Sequence, residues 1–191
     1  MPRYAAFLRG ISPITATMPT LKACFEAAGF TDVKTVLSSG NVIFSARATS
    51  VKSLERRIEA VTNDHFGRIF ITIVRTEERL RKIVAADPYS AFHLRPGAVR
   101  LVTFLRKMPT SRLRLPLRLD GARILCMRGA EVFSTYVPSP RGAGFLRVVE
   151  KTYGKEVTTR TWDTVTRVNA AVSVRSLGAM ARRRRSRAPL K

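Results

Sequence analysis

The chain has 191 residues, which suits one large domain or two small ones, and its 45% hydrophobic content is ordinary for a globular protein. Its charge is not ordinary: 35 basic and 13 acidic residues give a net charge of +22, and residues 91–174 and 175–191 carry +10 and +7 of it. Two cysteines and two histidines without metal-ligand spacing, and apolar runs too short to span a membrane, exclude a zinc site, a disulfide scaffold and a membrane span. We therefore expect a soluble, cytoplasmic protein with reduced thiols and with neither a metal nor a cofactor.

Residues 1–75 predict the element order β-α-β-β-α-β. Apolar and β-branched runs predict four strands, at residues 4–8, 33–38, 41–46 and 69–74. Apolar residues at helical spacing predict two helices, at residues 18–28 and 54–65. Ser39-Gly40 joins the second and third strands and is a hairpin signal. This order is that of the ferredoxin-like, or split βαβ, unit, whose antiparallel four-stranded sheet carries two helices on one face.

Residues 76–174 predict a second, decorated α+β unit that repeats the first more weakly. Strands are predicted at 99–105, 124–127, 131–137 and 157–160, and helices at 76–86, at 146–153 and from Trp162 onward. The predicted fold class is therefore α+β, with duplicated ferredoxin-like units and antiparallel sheets. Residues 175–191 are predicted to form a basic C-terminal tail outside both units.

Two arginine-rich segments are candidates for binding nucleic acid. Between Arg112 and Leu119 leucines alternate with basic residues, and Pro116 cannot donate to a sheet, so the pattern predicts an edge strand or an extended loop. Basic residues on an edge either prevent sheet-to-sheet pairing or bind phosphates. The second segment is the tail, which is predicted to be a solvated arm. The candidate nucleic-acid residues are Arg112, Arg114, Arg118, Arg182, Arg183, Arg184 and Arg185.

Polar residues at the ends of the predicted strands form a candidate ligand site. The first and third strands of a ferredoxin-like unit are antiparallel neighbours, so the end of the first lies beside the turn before the third. If the second unit packs at the same edge, the site consists of Arg9, Gly10, Ser39, Gly40, Asn41, Thr159, Arg160 and Trp162. Two guanidinium groups, hydroxyls, an amide and an aromatic wall suit an anion or a base, whereas a general base for catalysis is missing. In the alternative interpretation Gly40 makes a turn, Asn41 bonds its own backbone and Trp162 fills the core.

Three blocks of the sequence together resemble one family. They are YAAFLRGI at the start, LKACFEAAGFTDVKTVLSSGNVIF at residues 21–44 and TTRTWDTV at residues 158–165. Their order and spacing resemble the domain of unknown function 1697 family over roughly residues 3–170. The resemblance implies the duplicated ferredoxin-like fold and implies no activity, because the family's function is not established.

The chain departs from the family's usual pattern in two places. Family members often carry a glycine-rich, lysine-containing loop after RGI, but here the loop is SPITAT at residues 12–17, which lacks the geometry of a phosphate cradle. The family commonly has Asn before the tryptophan of the third block. Here that residue is Thr161, which can still cap a helix.

Three functions remain open from the sequence. The first is binding of nucleic acid or another polyanion, supported by charge and by an element order that matches the RRM, although the third strand lacks the RRM's aromatic core. The second is a small-molecule site or an enzyme acting on a phosphorylated or carboxylated metabolite, with Arg9 and Arg160 as clamps. The third is a structural or partner-binding module. A solvent-open pocket holding Arg9, Ser39, Asn41 and Arg160 favours the second function, and a flat positive face favours the first; enzymatic activity and oligomeric state stay undetermined.

Overall fold

The computed structural model describes residues 1–110, 113–119, 121–138 and 145–185, with side chains of the last helix described through Val174. The strands are β1 (Arg3–Leu8), β2 (Thr31–Val36), β3 (Asn41–Ser45), β4 (Thr72–Thr76), β5 (Val99–Leu105), β6 (Leu117–Leu119), β7 (Ala122–Arg128), β8 (Glu131–Tyr136) and β9 (Val157–Thr161). The helices are α1 (Met18–Ala27), α2 (Val51–Phe66), α3 (Glu77–Ala85), α4 (Phe145–Tyr153) and α5 (Trp162–Arg185). None of the helices in these described ranges is long and apolar enough to cross a membrane.

The first sheet has the strand order β2-β3-β1-β4, and β1 pairs antiparallel with both of its neighbours. Successive side chains of β1 alternate between the two faces of the sheet. Tyr4, Ala6 and Leu8 pack in the core beneath α1 and α2, whereas Ala5 and Phe7 pack on the opposite face. Because both faces are buried, β1 is an unbroken apolar run in the sequence. The element order predicted for residues 1–75 is the order observed.

The second sheet has the strand order β6-β7-β8-β5-β9. If β6 is left aside, the order β7-β8-β5-β9 corresponds to the order β2-β3-β1-β4 of the first sheet, and β5 takes the position of β1. The second unit does not repeat α1: the connection from β5 to β7 contains β6, which pairs with β7 at the edge of the sheet. The protein is thus an α+β fold with two antiparallel sheets, and the duplicated ferredoxin-like arrangement is not confirmed.

The alternating segment lies at the sheet edge, as its pattern indicates. Leu113, Leu115 and Leu117 are half-buried and pack on the core beside α4, whereas Arg114 and Arg118 are exposed. Arg112 lies outside the described residues.

The two sheets share a core that α3 and α5 help to close. Phe7 of the first sheet stacks on Phe104 of the second, with ring centroids 4.4 Å apart. Ile43 and Ile73 join from the first sheet and Phe133 from the second. The two predicted units therefore pack face to face through buried apolar side chains.

The first part of the basic C-terminal segment is helical, because α5 continues to Arg185, and its solvation stays a prediction. The four arginines Arg182–Arg185 belong to this helix by their backbone, and residues 186–191 lie outside the described part of the chain.

Candidate functional site

Arg160 in β9 joins the two sheets through its guanidinium group. An arginine side chain has five N–H donors, and here every one of them points at a protein acceptor. The acceptors, 2.7–2.8 Å away, are Asn41 Oδ1, the Thr158 hydroxyl and the backbone carbonyls of Leu8, Ser39 and Thr159. Burial lowers the pKa of Arg160 to about 10, so the group is still charged at neutral pH.

Arg9 follows the end of β1 and reaches the second unit. Its Nη2 donates to Glu150 Oε1 at 2.7 Å, and its Nη1 donates to the carbonyl of Lys155 at 2.9 Å. Glu150 lies on α4, and Lys155 lies in the connection from α4 to β9. The pair is partly exposed, with 38% of the Arg9 side chain and 34% of the Glu150 side chain accessible.

An open cleft of about 260 Å³ lies between these two arginines. Of the predicted site residues, Arg9, Gly10, Ser39, Thr159 and Arg160 line it. The sequence analysis did not identify the remaining lining residues, which are Leu8, Ile11, Thr103, Leu146, Val149, Glu150, Val157 and Thr158. The hydroxyls of Thr103 and Thr159 lie 2.8 Å apart across β5 and β9. The cleft thus combines two guanidinium groups, one carboxylate and several hydroxyls.

The Ser39-Gly40 turn both reverses the chain and contacts the cleft. Gly40 has φ +72°, and a Cβ there would lie 2.6 Å from Cγ1 of Ile11, so the position needs glycine for its conformation and for its space. Asn41 is fully buried; its amide donates to the Val36 carbonyl and to Ser39 Oγ, while its Oδ1 accepts from Arg160. Gly40 and Asn41 therefore support the lining residues Ser39 and Arg160 without lining the cleft themselves.

Trp162 lies in the shared core. Its side chain is 6% exposed and meets Tyr89 edge-on at 5.2 Å between ring centroids, so it offers no wall to the cleft. The preceding Thr161 accepts a bond from the Thr164 N–H at 3.2 Å and caps α5 as predicted.

The first unit contains a counterpart of the Arg160 arrangement, which the sequence analysis missed. Arg75 in β4 donates to Glu131 and to the carbonyls of Leu105 and Ala130, and it lies over Phe104 as Arg160 lies over Phe7. Two short repeats in the sequence indicate the correspondence between the two units. FLR occurs at residues 7–9 and 104–106, and RT ends both β4 and β9, at residues 75–76 and 160–161.

No group of three or more His, Cys, Asp or Glu side chains within the described residues is placed to hold a metal ion. Cys24 and Cys126 are free thiols, and burial raises the pKa of both, which disfavours the reactive thiolate.

The fold and the cleft define an α+β protein in which two antiparallel sheets share a core and bring polar side chains of both to one opening. The chain belongs to a family of proteins of unknown function, DUF1697, whose family model matches residues 1–120. It is similar in structure to a conserved bacterial protein, SP0830 from Streptococcus pneumoniae, with a TM-score of 0.65 and 17% sequence identity over 91% of this chain and 99% of that one. At this identity the likeness shows the fold. A search of curated proteins found no match.

Proposed function

We propose that the protein binds a small anionic metabolite in the cleft between Arg9 and Arg160. The observation that carries this proposal is the convergence of two guanidinium groups, the Ser39 turn and three threonines on one solvent-open cavity of about 260 Å³. Two positive charges against the single carboxylate of Glu150 leave a positive balance, which attracts carboxylate or phosphate groups.

The polar lining is not a requirement of the sheet geometry. Thr103 and Thr159 pair in register between β5 and β9, and the equivalent pair between β1 and β4 is Ala6 and Val74. The apolar pair lies in the core beneath α1 and α2. Thr103 is fully buried and its hydroxyl bonds that of Thr159, so the half-buried Thr159 is the member of this polar pair that supports a role in binding.

Arg9 and Arg160 have different roles in this proposal. All five donors of Arg160 bond to the protein, so none is free for a bidentate contact with the ligand. Arg160 therefore positions the Ser39 turn and adds positive charge. The predicted two-arginine clamp is therefore revised. Arg9, whose side chain is partly exposed, is the group that meets the ligand's acid.

Thermal-shift measurements on phosphorylated and carboxylated metabolites test the proposal. We expect at least one compound to raise the melting temperature of the parent, because a ligand that binds only the native state stabilises it. The Arg9→Gln variant should lose this shift. The matched control is Arg167→Gln, which removes one positive charge from an exposed ion pair on α5 and should keep the shift. Compounds that fail to shift the parent, or a shift that survives in Arg9→Gln, would contradict the proposal.

Binding of a polyanion such as nucleic acid is a second candidate. Arg118 of β6 and Arg123 of β7 are cross-strand partners, and with Arg95 they line a groove of about 100 Å³ at the edge of the second sheet. Arg114 lies exposed just before this edge. Titration of labelled RNA and duplex DNA tests it: each neutralised phosphate on duplex DNA should contribute a log–log salt slope of about −0.9. Failure to bind either nucleic acid at low salt would exclude this candidate.

A further inference from the structure

The Arg9–Glu150 pair has a counterpart on the other side of the shared core. Arg106 follows β5 as Arg9 follows β1, and it pairs with Glu59 of α2 as Arg9 pairs with Glu150 of α4. Each arginine also donates to a backbone carbonyl at the start of the strand that follows its partner's helix. Arg106 donates to Thr72, the first residue of β4, and Arg9 donates to Val157, the first residue of β9. The two pairs thus occupy equivalent places in the two units, and their surroundings can be compared directly.

The Arg106–Glu59 pair is closed. Only 14% and 16% of the two side chains are exposed, and both oxygens of Glu59 accept from the guanidinium group. Glu59 Oε1 also accepts from the Thr72 N–H at 2.9 Å, which ties the carboxylate to β4. Burial disfavours the charge of Arg106, but the bond to Glu59 and the negative charges of Glu59, Glu156 and Glu55 together outweigh this and raise the pKa of the guanidinium. This pair is part of the packed structure.

The Arg9–Glu150 pair is open by comparison. Within the described residues, the contact of the Glu150 carboxylate is a single bond, from Arg9 to Oε1, and more than a third of each side chain is accessible. Water can replace either partner of such a pair, which makes it weak and exchangeable. Both residues line the cleft together with the threonine hydroxyls. Both residues of the exchangeable pair therefore line their cleft, whereas the cavity of about 280 Å³ beside the closed pair is lined by Arg106 and not by Glu59.

Building on the function proposed above, we propose that the Glu150 carboxylate occupies the position on Arg9 that the acidic group of the ligand takes, and that the ligand displaces it. The ligand is then a small oxyanion, with carboxylate or phosphate oxygens for the Arg9 guanidinium and with polar groups for the hydroxyls of Ser39 and Thr159. A neutral compound cannot compete with the Glu150 carboxylate for Arg9. Glu150 is in this way an internal competitor that sets a threshold: a ligand must bind Arg9 more strongly than the carboxylate does, and oxyanions with charge-assisted bonds can do so.

Titration calorimetry with acetate, inorganic phosphate and acetamide tests this inference on the full-length chain. Glu150→Gln should bind the better of the two anions about two- to fivefold more tightly than the parent, the factor that corresponds to the free energy of one partly exposed ion pair. A larger gain in affinity for acetate indicates a carboxylate ligand, and a larger gain for inorganic phosphate indicates a phosphate ligand. Acetamide should show no measurable binding to the parent or to Glu150→Gln, because it carries no charge for the Arg9 guanidinium. Glu150→Ala, which removes the competing carboxylate without leaving an amide, should give the same gain, and circular dichroism verifies that both variants are folded.

Two matched variants separate displacement from a general charge effect. Glu78→Gln makes the same change in net charge at an exposed ion pair on α3 and should bind both anions as the parent does. Arg9→Gln should abolish the gain when combined with Glu150→Gln. Equal gains in Glu78→Gln, unchanged affinity in Glu150→Gln, or a gain that persists without Arg9 would overturn the inference.

The two proposals fail in different ways. If a metabolite stabilises the parent through Arg9 but Glu150→Gln does not tighten the anions, the cleft is a binding site and only the displacement by Glu150 is wrong. If neither metabolites nor anions bind any variant, the proposed function is wrong and the inference falls with it.

Discussion

Arg160 joins the two sheets through its guanidinium group, which donates to the carbonyls of Leu8 and Ser39 in the first unit. Arg160→Lys keeps the charge but replaces a planar fork of five donors by three on one nitrogen, so some of these acceptors lose their partner. We expect the free energy of unfolding to fall by about 1–3 kcal/mol, the cost of leaving a buried polar group unsatisfied. Chemical denaturation of the variant measures this.

The control for that measurement is Arg9→Lys, because Arg9 is partly exposed and its ion pair is weak. Its stability should lie close to the parent's. A result in which Arg160→Lys is as stable as Arg9→Lys would show that the bonds of Arg160 do not stabilise the fold.

Gly40 allows a second test at the residue scale, with Gly67 as a partner of nearly the same backbone conformation. Both have positive φ, at +72° and +65°, but a Cβ at Gly40 would collide with Ile11 whereas a Cβ at Gly67 meets nothing within 4 Å. Gly67→Ala should therefore cost about 1 kcal/mol for the left-handed conformation alone. Gly40→Ala should cost more, by about 1–3 kcal/mol of overpacking. Thermal melts of the two variants compare them; equal costs would mean that the Ile11 contact is easily relieved.

Glu55 gives the protein a predictable pH dependence. It is 3% exposed, and burial raises the pKa of its carboxyl even though it accepts a bond from the Val74 N–H. A raised pKa in the folded state means that stability is present below the unfolded pKa and is lost as the pH rises through the folded value. Glu55→Gln keeps an acceptor and cannot ionise, so over the range of pH above the ordinary glutamate pKa of about 4 the parent should lose stability relative to the variant as the pH rises. A constant difference between the two across that range would show that Glu55 does not ionise in the folded protein.

At the scale of elements, capping defines where α2 begins. Ser50 has extended backbone geometry, and its hydroxyl accepts the Ser53 N–H. Removing this acceptor in Ser50→Ala should lower the free energy of unfolding by about 1 kcal/mol. Ser50→Asp should retain the stability, because a carboxylate accepts the same bond and interacts favourably with the helix N-terminus. Urea denaturation distinguishes them; an Ala variant as stable as the parent would show that the cap contributes nothing.

The difference between the two units is also a matter of elements. α1 covers the first sheet beside α2, while the second unit has β6 in the corresponding connection. The sequence signals this difference, because leucines occupy every second position from 113 to 119, whereas the α1 segment has a helical period.

At the scale of the whole molecule, the shared core predicts that the two units unfold together. The stacked rings of Phe7 and Phe104 belong to different sheets and are both fully buried. We expect one calorimetric transition, lowered by either Phe7→Leu or Phe104→Leu, because each substitution removes buried contact from both units at once. If there are instead two transitions, and each substitution shifts only the transition of the unit that contains it, the units unfold independently.

Four features could be predicted from the sequence: the order of elements, the hairpin at Ser39-Gly40, the cap at Thr161 and the edge position of the alternating segment. These features follow from local patterns: hydrophobic period, turn chemistry and capping are set by residues close together in the chain. The proximity of Arg9 to Ser39 also followed, because the ferredoxin-like strand order makes their strands neighbours.

The roles of Arg160 and Trp162 could not be predicted, because they depend on how the two sheets pack together. The carbonyls that Arg160 bonds belong to residues up to 152 positions away, and every residue carries a carbonyl, so no side-chain pattern marks them as partners. Trp162 turns into the shared core because the two sheets pack face to face, and a tryptophan beside polar residues looks the same in sequence whether it lines a cleft or fills a core. The difference between the closed Arg106–Glu59 pair and the open Arg9–Glu150 pair likewise depends on what covers each one, and that is a property of packing rather than of either pair's residues.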